Sequence, residues 1–213
     1  MNIKAVIFDL DGVIVSTDEC HYLACKKMAD KEGIYFDKQI NNRLRGVSRM
    51  ESLEIVLEKS QKIYTDEEKL HLAEQKNSYY VEYISELSPE AILPGVMDNL
   101  ECLKANGVKI AIGSSSKNTP LILKQIGLDN YFDAVSDGNN ITNSKPDPEV
   151  FVKAAEMLGI DCENCMVVED ADAGIIAGKS GGMKTLSVNG AYGADYSFKN
   201  LEKDSIYDLI IKR

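Results

Sequence analysis

The chain has 213 residues, 44% of them hydrophobic, with a formal net charge of −10 and a pI of about 4.8. This length supports one full hydrophobic core and a smaller second one. The acidic balance excludes a general nucleic-acid or anionic-membrane surface, because such surfaces need a basic stripe. An anionic small-molecule substrate remains compatible, since a few basic groups in a cleft outweigh the net charge locally.

The N-terminal segment and the cysteines indicate the compartment. A short apolar run is followed at once by acids, which matches neither a signal peptide nor a membrane span. Five cysteines without a dense framework suit a reducing environment, so we expect a cytoplasmic protein. Cys162 and Cys165 form a lone CxxC motif with no second pair and no histidine nearby in sequence. We therefore interpret Cys165 as the buried first residue of a strand rather than as a metal or redox site.

The first predicted element is a short buried strand. Residues 3–8 are mostly large and apolar, and the run is too short for a helix. Asp9 and Asp11 follow it, and they point to the same side of the chain because side chains alternate along a strand. Two adjacent carboxylates repel each other, so either one binds a proton or a cation lies between them. The pair predicts a functional site.

The segment from residue 13 to about 92 contains no convincing strand. Three stretches in it have the apolar spacing of helices, at 18–33, 48–60 and 65–87. Helix and strand patterns then alternate: helices at about 96–106, 118–127, 148–158 and after 171–175, with strands at 108–112, 132–136, 165–168 and 184–188. The stretch from residue 195 onward fits either a helix pair or a helix followed by a short edge strand.

This alternation predicts an α/β fold in which helices cover a parallel sheet. The first strand then belongs to the same sheet, and the helical stretch is an insertion. We predict a Rossmann-like core at 1–14 and 93–213, with a small α-helical cap domain inserted at 15–92.

Four stretches have acidic, hydroxyl or lysine side chains at or after the ends of predicted strands, where parallel sheets bind ligands: "DLDG", "GSSSKN", "NSKPDP" and "VVEDADAG". Their four carboxylates, from Asp9, Asp11, Glu169 and Asp170, can ionise together only beside a divalent cation and a lysine. Oxygen ligands in this number suit Mg²⁺. Hydroxyls and amides of residues 114–116 suit phosphate oxygens, and Lys145 can neutralise phosphoryl charge.

Together and in this order, the four motifs resemble the haloacid dehalogenase superfamily of phosphoryl-transfer enzymes. The resemblance implies that Asp9 is the nucleophile, which becomes an aspartyl phosphate, and that Asp11 is the general acid and base. It places Mg²⁺ on the Asp9 carboxylate, the Asp11 backbone carbonyl and Asp170, with Glu169 beside it. Ser114 and Lys145 would hold the transferring phosphoryl group.

Three further stretches, at 16–22, 44–53 and 74–80, resemble the β-phosphoglucomutases within that superfamily, and the resemblance continues through residues 114–118. It implies a hinge at Thr17 and places His21 and Lys76 near the sugar hydroxyls and Asp11. The phosphate that is not reacting would be bound by Arg49, Ser116, Lys117 and Asn118. Gly113 and Ser115 depart from the alanines expected there. Ser115 would still supply its backbone amide.

The resemblance implies an Mg²⁺-dependent mutase that interconverts β-glucose 1-phosphate and glucose 6-phosphate through glucose 1,6-bisphosphate. One alternative is a sugar-phosphate phosphatase on the same core, in which water attacks the aspartyl phosphate. A second is a sugar-phosphate-binding protein on an inactive core. No heptad seam or large apolar stripe indicates an oligomer, so we expect a monomer without nucleic-acid or membrane partners.

Overall fold

The computed structural model describes residues 2–44 and 49–211. The chain divides into two units, which we call the core unit (Met1–Ser16 with Ser88–Arg213) and the helical unit (Thr17–Leu87). The strands are β1 Ala5–Phe8, β2 Lys109–Gly113, β3 Ala134–Ser136, β4 Cys165–Glu169, β5 Lys184–Val188 and β6 Tyr196–Phe198. The helices are α1 Asp18–Lys31, α2 Lys38–Asn42, α3 Arg49–Leu57, α4 Asp66–Ile84, α5 Val96–Ala105, α6 Thr119–Gln125, α7 Glu149–Leu158, α8 Asp172–Ser180 and α9 Ile206–Ile211.

The core unit is built on one sheet of order β3-β2-β1-β4-β5-β6, in which every neighbouring pair is parallel. This confirms the predicted α/β class with a Rossmann-like parallel sheet. The first strand lies in the middle, between β2 and β4. All its residues are buried, as its unbroken apolar sequence requires when helices cover both faces of a sheet.

Helix α7 shows how the helices attach to this sheet. Its apolar residues recur on one face, and Val150, Phe151, Ala154 and Ala155 are buried. They belong to the same apolar cluster as Ile7, Ala111 and Val167, one residue from each of the three central strands. The helix ends at Gly159, whose backbone is left-handed with φ 67°. The packing makes α7 a rigid support for the loop that precedes it.

The helical unit is organised around α1 and α4. Apolar residues of α1 such as Ala24 and Met28 are buried, as are Leu72 and Ile84 of α4. Helix α4 begins with a reciprocal capping box, in which the Thr65 hydroxyl accepts from the Glu68 N–H while the Glu68 carboxylate accepts from the Thr65 N–H.

Two features of the helical unit bear on the sequence predictions. The sequence did not predict the short helix α2, whose first turn is capped by the Asp37 carboxylate. Residues 45–48 of the predicted 44–53 stretch lie outside the described residues. The role of this unit as a cap stays a prediction.

Neither of the two arrangements expected for the C-terminal end is observed. An edge strand, β6, comes first and pairs with β5, and helix α9 follows it. The cause is a tertiary contact: the Asp195 carboxylate accepts hydrogen bonds at 2.9 Å from both the backbone N–H and the hydroxyl of Thr185 in β5. This contact fixes the start of β6 beside β5. Elsewhere, Cys165 begins β4 and is buried, as predicted.

Among the described residues, no helix combines the length and the apolar character needed to cross a bilayer.

Candidate active site

The carboxyl ends of β1 and β4 bring the predicted acids together. The two strands are paired so that Phe8 lies opposite Val168, and the Asp9 N–H donates to the Val168 carbonyl at 2.9 Å. Asp9 therefore lies beside Glu169, the last residue of β4, and Asp170 follows it in the chain. Only 8% of Asp9 is exposed. The sheet register thus brings together three of the four acids expected from the sequence, Asp9, Glu169 and Asp170.

Lys145 lies at the centre of this cluster. Its ammonium group donates to Asp9 Oδ1 at 2.5 Å and to Glu169 Oε1 at 2.7 Å. The lysine side chain is 11% exposed, and its Nζ is 4.6 Å from the centroid of the Phe151 ring. A lysine this deeply buried is stable as a cation only because two carboxylates face it.

Glu169 is held by donors on both of its carboxylate oxygens. Oε1 accepts from Lys145, while Oε2 accepts at 2.9 Å from the backbone N–H groups of Asp170 and Ala171. A Cβ atom on Gly174 would lie 1.8 Å from Oε1, so only glycine leaves room for this carboxylate. The orientation of Glu169 is therefore set by the protein itself.

The cluster carries more negative charge than one lysine can balance. Burial, reinforced by the Glu169 and Asp170 charges and only partly offset by Lys145, raises the pKa of Asp9 to about 8. Burial followed by the charges of Glu169 and Asp11 raises the pKa of Asp170 to about 7. Burial opposes the charge on Lys145, but Asp9 and Glu169 outweigh it and raise the lysine pKa.

This donor set fits a hard divalent cation. One carboxylate oxygen each from Asp9, Glu169 and Asp170 lie within 4.8 Å of one another. The raised pKa values of Asp9 and Asp170 show that ionising both costs free energy, which a nearby dication would offset. Carboxylate oxygens are the ligands that Mg²⁺ takes in phosphoryl-transfer sites.

The loop after β2 contains the serines predicted to bind phosphate. Ser114 is buried, and its N–H donates to the Ser136 carbonyl at 3.1 Å. Its hydroxyl oxygen accepts from the Ser116 N–H, and the Ser116 hydroxyl accepts from the Asn118 N–H, both at 3.2 Å. The amides of Ser114 and Ser116 are thus used within the loop, whereas the hydroxyl protons remain available for donation to an anion.

The same loop contacts the segment that carries Lys145. The Lys145 N–H donates to the Ser115 hydroxyl at 3.3 Å, and the carbonyl of the exposed Lys117 accepts from the Asn139 side chain at 2.9 Å. Ser115, which departs from the alanine expected at this position, thus links the two loops through its hydroxyl. Its predicted use of the backbone amide for phosphate stays a prediction.

Gly12 lies where β1 turns past the cluster, and its conformation leads to a test. Its φ is +87°, and a Cβ atom there would lie 2.1 Å from Asp170 Oδ2. Because the side chain must displace Asp170, Gly12→Ala is expected to weaken Mg²⁺ binding at least about tenfold, measured by titration calorimetry. The matched control is Gly107→Ala, since φ is +74° there but nothing lies within 4 Å. Equal Mg²⁺ affinities in the two variants would contradict this expectation.

In the helical unit, three of the predicted site residues lie together. His21 and Lys76 are joined by a 2.9 Å contact between Nδ1 and Nζ. The His21 ring stacks on Tyr80, with 4.1 Å between the ring centroids, and the Tyr80 hydroxyl donates to the hydroxyl of the fully buried Thr17 at 3.0 Å. Thr17, the N-cap residue of α1, and His21 lie one turn apart, as do Lys76 and Tyr80 of α4.

The fourth predicted residue of this unit, Arg49, begins α3. Its Nη2 donates to Asn77 Oδ1 of α4 at 3.1 Å. This bond orients one side of the guanidinium group. Binding of phosphate by Arg49 stays a prediction, as do the substrate roles of Thr17, His21 and Lys76.

We expect His21 to stay neutral throughout the physiological pH range. Burial and then the Lys76 charge lower its pKa from 6.5 to about 3. Lys76 has only donors, so Nδ1 accepts and Nε2 carries the proton. Because the folded pKa is below the unfolded one, the stabilisation from neutral His21 is present above pH 6.5 and is lost as pH falls towards 3. NMR of the histidine side-chain nitrogens measures the titration, and the His21→Gln variant assigns the His21 signals. Titration of His21 near pH 6.5 would contradict the expected neutral state.

Sequence reasoning missed several partners of the site residues. Tyr80 and Asn77 lie within the 74–80 stretch, but nothing marked them as contacts of Thr17, His21 or Arg49. The spacing of four residues between Lys76 and Tyr80 was the available signal, because such residues share one helix face. Gly174 ends the motif "EDADAG", which the sequence analysis recognised. That this position needs glycine to leave room for the Glu169 carboxylate became clear only from the structure.

Comparison with known proteins agrees with this geometry. The model of the family described as haloacid dehalogenase-like hydrolase matches residues 3–182. The β-phosphoglucomutase of Bacillus subtilis (strain 168) is 46% identical over 187 residues, which cover 87% of this chain and 83% of that protein. The "phosphorylated carbohydrates phosphatase" of Thermotoga maritima is 31% identical over 186 residues, covering 86% of this chain and 83% of that protein.

A solved structure shows the same likeness in three dimensions. The crystal structure of β-phosphoglucomutase from Clostridium difficile superposes with a TM-score of 0.87 at 40% sequence identity. The alignment covers 99% of this chain and 96% of that one. The similarity therefore extends over both the core unit and the helical unit.

Proposed function

Because this chain belongs to the haloacid dehalogenase-like hydrolase family, we propose that it is a β-phosphoglucomutase that interconverts β-glucose 1-phosphate and glucose 6-phosphate. The observation that carries the reaction type is the buried Asp9 carboxylate, paired with Lys145 inside an acidic cluster. The higher identity to the Bacillus subtilis mutase than to the Thermotoga maritima phosphatase favours transfer back to a sugar over transfer to water.

In the proposed mechanism, the chain's own groups move the phosphoryl group. The Asp9 carboxylate attacks phosphorus and forms an aspartyl phosphate, while the Asp11 carboxyl group donates a proton to the leaving sugar oxygen. Asp11 then takes a proton from the accepting hydroxyl when the phosphoryl group is transferred back. Lys145 neutralises the charge shared by Asp9 and the phosphoryl oxygens. The cycle starts from the phosphorylated enzyme: the Asp9 phosphate is transferred to β-glucose 1-phosphate, which gives glucose 1,6-bisphosphate. Asp9 then accepts the other phosphate, which releases glucose 6-phosphate and restores the phosphoenzyme.

We propose that Mg²⁺ is held by the Asp9 and Asp170 carboxylates and the Asp11 backbone carbonyl, with Glu169 beside it. When bound, it supplies positive charge that offsets the developing charge on the phosphoryl oxygens. The close approach of three carboxylates supports this assignment. In the core unit, the Ser114 hydroxyl would hold the transferring phosphoryl group, and Ser116, Lys117 and Asn118 the other phosphate.

Mg²⁺ binding is expected to release protons at neutral pH. Without a cation, Asp9 and Asp170, with pKa values of about 8 and about 7, are largely protonated at pH 6. Binding requires the ionised forms, so the apparent affinity should rise about tenfold per pH unit for each proton displaced. Calorimetry in buffers of different ionisation enthalpy measures this. An affinity that is flat between about pH 6 and pH 8 would contradict it.

The raised pKa of Asp9 also makes the stability of the cation-free protein depend on pH. The folded pKa of Asp9 is raised from 3.8 to about 8, so its protonated form stabilises the fold. This contribution is full below pH 3.8 and is lost as pH rises through about 8. The free energy of unfolding in excess chelator should therefore fall as pH rises across this range, and added Mg²⁺ should reverse the loss.

One product analysis tests the mutase against the phosphatase. The protein is incubated with β-glucose 1-phosphate, Mg²⁺ and a trace of glucose 1,6-bisphosphate, and glucose 6-phosphate and free phosphate are quantified. We expect glucose 6-phosphate to dominate. Free phosphate as the main product would assign the phosphatase instead. Failure to bind Mg²⁺ or to form any phosphoenzyme from acetyl phosphate would favour the third reading, a binding protein on an inactive core.

We also propose a cytoplasmic location and a monomeric state. None of the five cysteines forms a disulfide, which suits a reducing compartment. Sedimentation of the purified protein tests the monomer: a mass near the 23.5 kDa of one chain is expected.

A further inference from the structure

The loop that carries Lys145 is attached to the helix that follows it. Lys145 lies between β3 and α7, and Glu149 is the first residue of α7. The Glu149 carboxylate turns back onto this loop: Oε1 accepts from the Thr142 N–H at 2.9 Å, and Oε2 accepts from the Asn143 N–H at 2.7 Å. Both oxygens of one side chain are therefore bonded to the backbone just before Lys145.

These bonds join the loop to a rigid element. Val150 and Phe151, the next residues of α7, are fully buried against the sheet. One turn further along α7, the Lys153 ammonium donates to the Asn140 carbonyl. The Glu149 N–H itself donates to Asp147 Oδ1 at 2.9 Å. Helix α7 thus holds the backbone of residues 140–143 through one acidic and one basic side chain.

The bonds are made by the ionised form of Glu149. The N–H groups of Asn143 and Thr142 lower its pKa below the usual range, so the carboxylate is charged at neutral pH. Hydrogen bonds to a charged acceptor are stronger than those between neutral groups. Glu149 lies outside the cluster of Asp9, Glu169 and Asp170, and its carboxylate bonds to loop backbone.

Lys145 depends on this support because its own bonds demand accurate placement. Its Nζ must reach Asp9 and Glu169 together, at 2.5 and 2.7 Å, while its backbone N–H donates to the Ser115 hydroxyl at 3.3 Å. A displacement of the loop by an ångström would break the short contact to Asp9. Misplacement on this scale typically slows chemistry by about a hundredfold.

We propose that Glu149 is a positioning residue that acts through Lys145, holding its loop so that the ammonium group meets the Asp9 nucleophile and the phosphoryl group. The role in catalysis rests on the proposed phosphoryl-transfer function, whereas the positioning of Lys145 does not. The Glu149 carboxylate bonds to loop backbone and not to Asp9, so we expect its removal to act on the transfer step through Lys145 rather than on the overall fold.

The test uses a mutant cycle on the full chain with Mg²⁺. Formation of the phosphoenzyme from acetyl phosphate is measured in single turnover for wild type, Glu149→Ala, Glu149→Gln, Lys145→Ala and the double variant. We expect Glu149→Ala to slow formation by about 10- to 100-fold and Glu149→Gln, which keeps one acceptor oxygen, to slow it less. In the Lys145→Ala background, Glu149→Ala should cause no further loss. Glu156→Ala, at an exposed acid of the same helix, is the matched control.

A structural role alone predicts a different pattern. If Glu149 served only the stability of α7, its effect would persist undiminished in the Lys145→Ala background, and that result would overturn the proposal. So would an unchanged rate in Glu149→Ala. The NMR signal of the Lys145 ε-methylene group, assigned with Lys145→Ala, gives a readout independent of turnover. If the wild-type protein forms no phosphoenzyme, the proposed function fails. In that case a shifted Lys145 signal in Glu149→Ala still supports the positioning of Lys145 by Glu149, whereas an unshifted signal rejects the positioning as well.

Discussion

Replacing Asp9 with asparagine is expected to abolish phosphoenzyme formation and to lower the isomerisation rate by at least about a thousandfold. The amide keeps the size of the side chain and one acceptor oxygen for Lys145, but it is not a nucleophile. Because Asp9 is only 8% exposed, a carboxylate from the solution cannot take its place. The measurement is the steady-state rate of glucose 6-phosphate formation, together with mass spectrometry of the acid-quenched protein for the added phosphoryl group.

The control for Asp9→Asn is Asp129→Asn, which removes an exposed carboxylate of the same unit. This variant should retain the wild-type rate. The melting temperature of Asp9→Asn, measured without Mg²⁺, should not fall sharply, because the carboxylate that it removes is one whose ionisation is already opposed by burial. Isomerisation near the wild-type rate in Asp9→Asn would refute the assignment of the nucleophile.

Lys145→Ala is expected to affect both activity and stability. It removes the ammonium donor that Asp9 and Glu169 share, and leaving buried acceptors without their hydrogen-bond partner costs about 1–3 kcal/mol. The free energy of unfolding, measured in urea at pH 7 in the presence of a chelator, should fall by that order. Phosphoenzyme formation should fall by at least about a hundredfold, because the charge on the phosphoryl oxygens loses its neutralising partner.

Adding Mg²⁺ distinguishes an electrostatic cause from a packing cause. A dication in the cluster replaces part of the missing positive charge, so it should restore much of the stability of Lys145→Ala but little of its activity. The exposed Lys124 of α6 provides the control: Lys124→Ala should change neither quantity. Full stability of Lys145→Ala in chelator would contradict a stabilising role of Lys145 in the cluster.

The core cluster could be predicted because local patterns and sheet geometry both determine it. Asp9 and the serine loop follow apolar strands directly, Glu169 ends one, and the carboxyl ends of parallel strands share one edge. Once the alternation of helices and strands indicated a parallel sheet, the meeting of these residues followed. The structure confirms the parallel sheet, and the family match and the likeness to solved mutases confirm the resemblance that the motifs carried.

What the sequence did not reveal depends on contacts between residues far apart in the chain. The sequence did not single out Glu149, whose bonds to the preceding loop depend on how that loop folds back. The stacking of His21 on Tyr80 required the pairing of α1 with α4. Neither arrangement expected for the C-terminal end matched, because β6 is a strand of only three residues at the sheet edge, and the contact of Asp195 with Thr185 fixes its start.

The central position of β1 has a consequence for how the protein is made. Its Ala5 pairs with Lys109 on one side and with Cys165 on the other, so both partners emerge from the ribosome long after β1. During that interval an apolar strand with two unpaired edges is exposed, while the intervening helical unit, rich in local contacts, can already fold. Unpaired strand edges of this kind are prone to aggregation, so a pause in synthesis before β2 would prolong the stage in which both edges of β1 are exposed.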